Sequence, residues 1–185
     1  DAYDAFYWVK NEAANLRGNG IISVAGDRAG GNLAIGVTLL AKEADIKIDA
    51  QILLYPVTDL SYASKSYETY AKNYGLDRAV MKWFGDYYIR TEEDALNPLL
   101  APVRADVTGL PPTFLIVAEN DVLRDEGLIF AKKLQQSGVR VKQSIASGLV
   151  HSYFTKNDVF EEEIDETIEE IASFLEQTIY SNSSL

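Results

Sequence analysis

Residues 21–33 carry the arrangement that could do the most chemistry. Ile21, Ile22, Ser23, Val24 and Ala25 form a short apolar run, Gly26 and Gly30 bracket Asp27, Arg28 and Ala29, and a helical pattern opens at Leu33. A strand that turns sharply into a helix lifts the middle residue of such a turn above a sheet. In the G-x-S-x-G spacing that residue is a serine nucleophile; here it is Arg28. A guanidinium has no lone pair to offer a carbonyl at neutral pH, so no covalent acyl intermediate is expected through position 28. The Ala29 N–H, at the start of the helix, is the oxyanion donor this turn supplies. Arg28 itself reads first as an incidental replacement of the nucleophile; the alternative is a residue that binds a carboxylate or pairs with a nearby acid such as Asp27.

Nucleophilic hydrolysis also needs a base and a carboxylate to orient it, each at the end of its own strand. Asp121 follows the apolar run 114–118 and His151, the one histidine of the chain, follows the alternating run 139–143. Asp121 is the expected orienter and His151 the general base. Taken singly, a loop histidine is usually solvated and idle, and an acid ahead of a helix is usually a cap. Their joint appearance downstream of a glycine-flanked turn, in that order, carries the reading. Glu119 and Asp125 compete for the acid position; Asp125 more readily caps the helix that follows, and Glu119 sits closer to the strand. Ser23 lies inside a strand and Ser147 and Ser152 sit beside the histidine, so none is expected to replace the missing oxygen. The glycine spacing fits neither G-x-G-x-x-G nor a Walker loop with its lysine, which disfavours nucleotide phosphates.

These residues need strands and helices to hold them. The spacing predicts a helix over 5–16, stopped by Gly18-Asn19-Gly20, then strands over 21–25, 52–55, 114–118 and 139–143. Helices are expected from residue 33 to about 44, over 125–136, and over 161–180, where Ile164, Ile168, Ile171, Phe174, Leu175 and Ile179 form one apolar stripe. Strands alternating with helices imply right-handed crossovers and a parallel sheet covered on both faces, an α/β fold in one domain spanning 1–185. The insertion 60–111 is rich in tyrosine, tryptophan and phenylalanine. It reads either as a cap over the site or as a helical insertion packed on its own aromatics.

Bulk composition removes other classes. The chain has 185 residues, 47% hydrophobic and 24% charged, with a formal net charge of −11. Such an excess of acid argues against nucleic acid or an anionic membrane surface, whose affinity comes from lysine and arginine. With no cysteine and one histidine, disulfides, thiolate chemistry and a zinc site are not expected. No signal peptide or membrane-spanning run is visible, so the expected location is cytoplasmic. The Asn182-Ser183-Ser184 sequon carries little weight on that reading.

Several phrases together resemble the hormone-sensitive lipase family of α/β-hydrolase esterases along the whole chain. They are Val24 to Ala34 around the elbow, Leu54-Tyr55-Pro56, Asn97-Pro98-Leu99-Leu100-Ala101-Pro102, Leu110-Pro111-Pro112, Asp121-Val122-Leu123-Arg124-Asp125-Glu126-Gly127 and the His151 loop. The resemblance implies hydrolysis of short or medium acyl esters by a Ser-Asp-His triad, without a cofactor, with a small-molecule ester or carboxylate as partner. It also implies a sheet ordered 1-2-4-3-5-6-7-8, of which the four strands here correspond to 5, 6, 7 and 8.

Three departures from the family pattern stand out. Arg28 replaces the nucleophile, Ser152 stands where the family has glycine, and the His-Gly-Gly-Gly oxyanion loop that precedes the elbow is not among these residues. The chain is therefore expected to be inactive as it stands, with Arg28→Ser restoring little here and more in a longer form. The alternative is a noncatalytic descendant that binds a ligand or completes another chain's sheet. The strand 21–25 would become an edge, expected to pair with a second copy or an N-terminal piece, or to leave a poorly soluble fragment.

Overall fold

The computed structural model describes residues 1–180, and the sequon at 182–184 lies outside them. Four parallel strands form one sheet in the order β1-β2-β3-β4: β1 Ser23–Asp27, β2 Ala50–Leu54, β3 Thr113–Asn120 and β4 Val141–Val150. Helix α1 (Ala2–Glu12) precedes the sheet, α2 (Arg28–Glu43) connects β1 to β2, and α3 (Ser66–Thr69) and α4 (Arg78–Tyr88) lie in the insertion before β3. Helix α5 (Arg124–Gln136) connects β3 to β4, and α6 (Glu161–Leu175) follows β4. The expected α/β sheet with strands in family order 5-6-7-8 is what forms.

Alternating side chains of the central strands feed two cores, as a sheet covered on both faces requires. Leu53, Leu115 and Val117 pack with Ile35 and Leu39 of α2 and Phe130 and Leu134 of α5. Ile52, Leu54, Phe114 and Ile116 face the other way, onto Ile164 and Phe174 of α6. Phe114 and Leu115 are both fully buried although they are neighbours in sequence, which only a two-sided burial allows. A smaller cluster joins Phe6 of α1 to Val37 and Ala41 of α2.

The elements depart from the sequence expectations mainly at their ends. β1 starts later and runs two residues further than expected, straight into α2. β4 extends to Val150, well past 143, because parallel pairing with β3 carries its polar residues along the edge. The last helix ends as α-helix at Leu175, and Glu176–Tyr180 forms a wider π turn. Asp125 does not cap α5: it lies one residue inside the helix, where its carboxylate accepts the Ser66 N–H and pairs with Arg124 Nε. No helix among the described residues is long and apolar enough to cross a membrane.

Candidate active site

Because β1 ends at Asp27 and α2 begins at Arg28, the chain reverses within one residue, and Arg28 takes a φ of 53°. For a residue with a side chain this left-handed conformation costs about 1–2 kcal/mol. Glycines make the reversal possible. A Cβ at Gly26 would collide with the Gly30 carbonyl, and one at Gly31 would lie 2.8 Å from Pro56 Cβ. Gly30 is under no such constraint, since a Cβ there would only touch Asp27 Oδ1 at 3.8 Å. Of the bracketing pair the sequence singled out, Gly26 closes the turn, and it is Gly31 that lets α2 approach the loop after β2. That loop holds the elbow in return: the Val57 N–H donates to the Arg28 carbonyl at 3.1 Å. Asn32 Nδ2 donates to the carbonyls of Val57 and Leu100, both at 2.9 Å.

Asp121 and His151 each stand just past the end of a strand, β3 and β4, and their side chains meet. His151 Nδ1 lies 2.6 Å from Asp121 Oδ2, and the two residues are only 3% and 1% exposed. The second carboxylate oxygen accepts the Leu123 N–H at 3.0 Å. A buried carboxylate so placed fixes the proton on Nδ1 and leaves Nε2 with its lone pair. Nε2 is buried and has no hydrogen-bond partner. His151 lines a cavity of about 620 Å³ together with Arg28, Ala29 and Gly30, with Asp121 behind it. Ala29 is the second residue of α2, and its N–H belongs to the first turn, whose donors no helix carbonyl accepts.

The two competing acids are engaged elsewhere. Glu119 accepts the Gly148 N–H at 2.6 Å and the Ser147 hydroxyl at 2.8 Å, and that backbone bond holds its carboxyl below the usual range. Asp125 is tied to Ser66 and Arg124 as described. The serine hydroxyls stand apart too: Ser147 donates to Glu119, and Ser152 Oγ is buried without a partner. Arg28 is half-buried and, among the described residues, is part of no ion pair with Asp27 or any other acid.

Three supporting residues went unnoticed in the sequence. The Tyr55 ring lies 5.2 Å from the imidazole, centroid to centroid, and is itself backed by Tyr153 at 5.7 Å. Tyr55 thus packs against the imidazole at a tilt, and burial pushes the Tyr55 hydroxyl pKa up. Asn32 ties the elbow to two loops, and Glu126 ties α5 to the start of the insertion. Glu126 Oε1 accepts the Thr58 N–H at 2.8 Å and the Asp59 N–H at 3.3 Å, and burial pushes its carboxyl up to about 8. All three fall in the phrases Asn32, Leu54-Tyr55-Pro56 and Asp125-Glu126-Gly127, so the signal was present but their partners were not.

The insertion packs on the end of β3 and also borders the cavity. Tyr67, Leu76 and Met81 pack on Val122 and Leu123, and α4 turns Met81, Phe84, Gly85, Tyr87 and Tyr88 to the cavity as its far wall. A Cβ at Gly85 would meet Tyr62 Oη, so any larger residue there would push the Tyr62 ring aside.

Comparison with known proteins agrees with this architecture. The α/β hydrolase fold family matches residues 1–155. An arylesterase of Saccharolobus solfataricus is 38% identical over 159 residues, which cover 83% of this chain and 51% of that protein. The carboxylesterase NlhH of Mycobacterium tuberculosis is 37% identical over 159 residues, 83% of this chain and 50% of its own length. Among solved structures, an esterase of Pyrobaculum calidifontis superposes with a TM-score of 0.89 at 36% identity, covering 94% of this chain and 59% of that one. The chain spans about half the length of the relatives it matches.

Proposed function

Since the chain belongs to the α/β-hydrolase fold family, on its hormone-sensitive-lipase-like esterase branch, we propose that it carries the base and acid of a carboxylic ester hydrolase whose nucleophile position is occupied by Arg28. The observation that supports this most directly is the buried His151–Asp121 contact of 2.6 Å, with Nε2 unpartnered and His151 lining the same cavity as Arg28.

In this reading His151 Nε2 accepts the proton of an attacking hydroxyl and later returns it to the leaving alcohol. Asp121 fixes the tautomer and stabilises the imidazolium between those steps, and the Ala29 N–H donates to the oxyanion. The substrate class is a carboxylic ester with a short or medium acyl chain, which the apolar wall formed by Leu33, Val57, Leu123 and α4 accommodates. Arg28 stops the sequence at its first step, because no oxygen stands at the elbow to attack.

The chain is expected to turn over p-nitrophenyl acetate no faster than an equal concentration of free imidazole, and to resist labelling by a fluorophosphonate. Arg28→Ser restores a hydroxyl but leaves one elbow donor to hold the oxyanion, and each missing donor costs roughly 10²- to 10³-fold in kcat. Slow labelling that disappears in the double variant with His151→Ala is therefore expected. Brisk hydrolysis by the unaltered chain would overturn the role given to Arg28. Labelling of Arg28→Ser that survives the loss of His151 would overturn the role given to the histidine.

A further inference from the structure

We propose that the cavity at the elbow is a reversible binding site for an amphipathic monocarboxylate, with the carboxylate between Arg28 and the first turn of α2 and an aliphatic or aryl tail along α4. This rests on the esterase-scaffold reading, because the ligand is the acid half of the ester such a cavity would have processed.

The polar end of the cavity is built for an anion. Arg28 lines it, is half-buried, and is part of no ion pair among the described residues. A guanidinium in such surroundings presents a planar fork that carboxylates fill with two parallel hydrogen bonds. Beside it stands the N-terminus of the sixteen-residue α2, where free N–H groups and the helix dipole favour negative charge. His151 is the independent observation: it lines the same cavity, is only 3% exposed, and its Nε2 has no partner.

The rest of the lining selects the class of anion. Leu33, Val57, Leu76, Met81, Phe84 and Leu123 supply an apolar wall in a space of about 620 Å³, a usual volume for a small-molecule site. A neutral apolar molecule would leave the guanidinium unpaired. A small polyanion would leave the wall empty and meet Asp27, which lines the same mouth. A single carboxylate with a tail satisfies both ends. Asp27 is the internal competitor, and removing its charge strengthens the site.

The test is calorimetric titration at neutral pH with three probes: sodium hexanoate, hexanamide and sodium acetate. Hexanamide keeps the tail without the charge, and acetate keeps the charge without the tail. On the unaltered chain hexanoate is expected to bind at least about tenfold more tightly than either, given the strength of charge-assisted hydrogen bonds and of four buried methylenes. Arg28→Met should lose about tenfold or more in hexanoate affinity with hexanamide unchanged, and Asp27→Asn should gain severalfold for hexanoate. Equal binding of hexanoate and hexanamide, equal binding of hexanoate and acetate, or no binding of any probe overturns the proposal on the unaltered chain alone, whether or not the variants fold. None of these outcomes touches the labelling experiment on Arg28→Ser, so the two readings fail separately.

Discussion

Arg28, which lines the cavity, and Ser152, next to His151, both hold left-handed backbone with φ of 53° and 62°, and they differ in what they gain from it. The strain at Arg28 is what presents a side chain to the cavity, and the Val57 N–H and Asn32 keep the junction in place. Ser152 follows His151 directly, is buried, and leaves its hydroxyl without a partner. It bears both the conformational cost of a Cβ there and the desolvation cost of an unpaired oxygen. Ser152→Gly removes both and is expected to stabilise the fold by about 1–3 kcal/mol. A thermal melt should rise by several degrees, at roughly 2–4 °C per kcal/mol for a chain of this size; a lower midpoint would show that Ser152 makes a contact that offsets its strain. Arg28, Asp121 and His151 were legible because glycine punctuation and apolar runs put each at a strand end. Tyr55 and Asn32 were not, since what gives them meaning is a distant partner, His151 and Tyr153 for Tyr55 and Val57 and Leu100, 25 and 68 residues away, for Asn32, and a single sequence does not display such pairs.

At the scale of elements, α5 does more than cover the sheet, because its Glu126 fastens the loop that leads from β2 into the insertion. Fully buried, Glu126 is pushed up to about 8 against an ordinary 4.5. The folded chain therefore keeps a proton that the unfolded chain releases, and stability falls as pH rises from about 4.5 through about 8, by up to about 1.4 kcal/mol per pH unit. The lowered carboxyls Glu119 and Asp49 act in the opposite sense and only at more acidic pH. Glu126→Gln keeps an oxygen for the Thr58 and Asp59 N–H groups without a titrating proton. Urea unfolding between pH 5 and 8 should show a flatter profile in this variant, and an unchanged slope would remove Glu126 as its source. The strands β2 and β3, and Ile164 and Phe174 of α6, were readable from apolar spacing because burial is imposed on them by period, whereas Ile168 of the same expected stripe is exposed. The length of β4 and the non-capping role of Asp125 were hidden, since β4 is extended by pairing with β3 and Asp125 is claimed by Ser66 and Arg124 from elsewhere in the chain.

For the molecule as a whole, the two edges of the sheet are unlike. β4 carries Lys142, which pairs with Glu170 of α6, and Ser144, which donates to the same carboxylate; charge of this kind blunts an edge against pairing. β1 has β2 on one side and, among the described residues, no strand on the other. Its Ser23 and Ala25 are exposed, and α1 beside it exposes Tyr7, Trp8 and Val9. We propose that, in the chain as it stands, two copies associate through β1, against the general repulsion of a net charge of −11 that salt screens beyond about 8 Å. A twofold pairing would set the strands antiparallel, with Ala25, the middle residue of β1, opposite its own copy. Ala25→Lys then places like charges face to face and should dissociate the pair, whereas Ile145→Lys, on exposed β4, should not. Sedimentation over a concentration series distinguishes these cases. Association that strengthens with concentration in the unaltered chain and in Ile145→Lys, and is lost in Ala25→Lys, identifies β1 as the interface; a monomer at every concentration, or equal behaviour of the two variants, eliminates it.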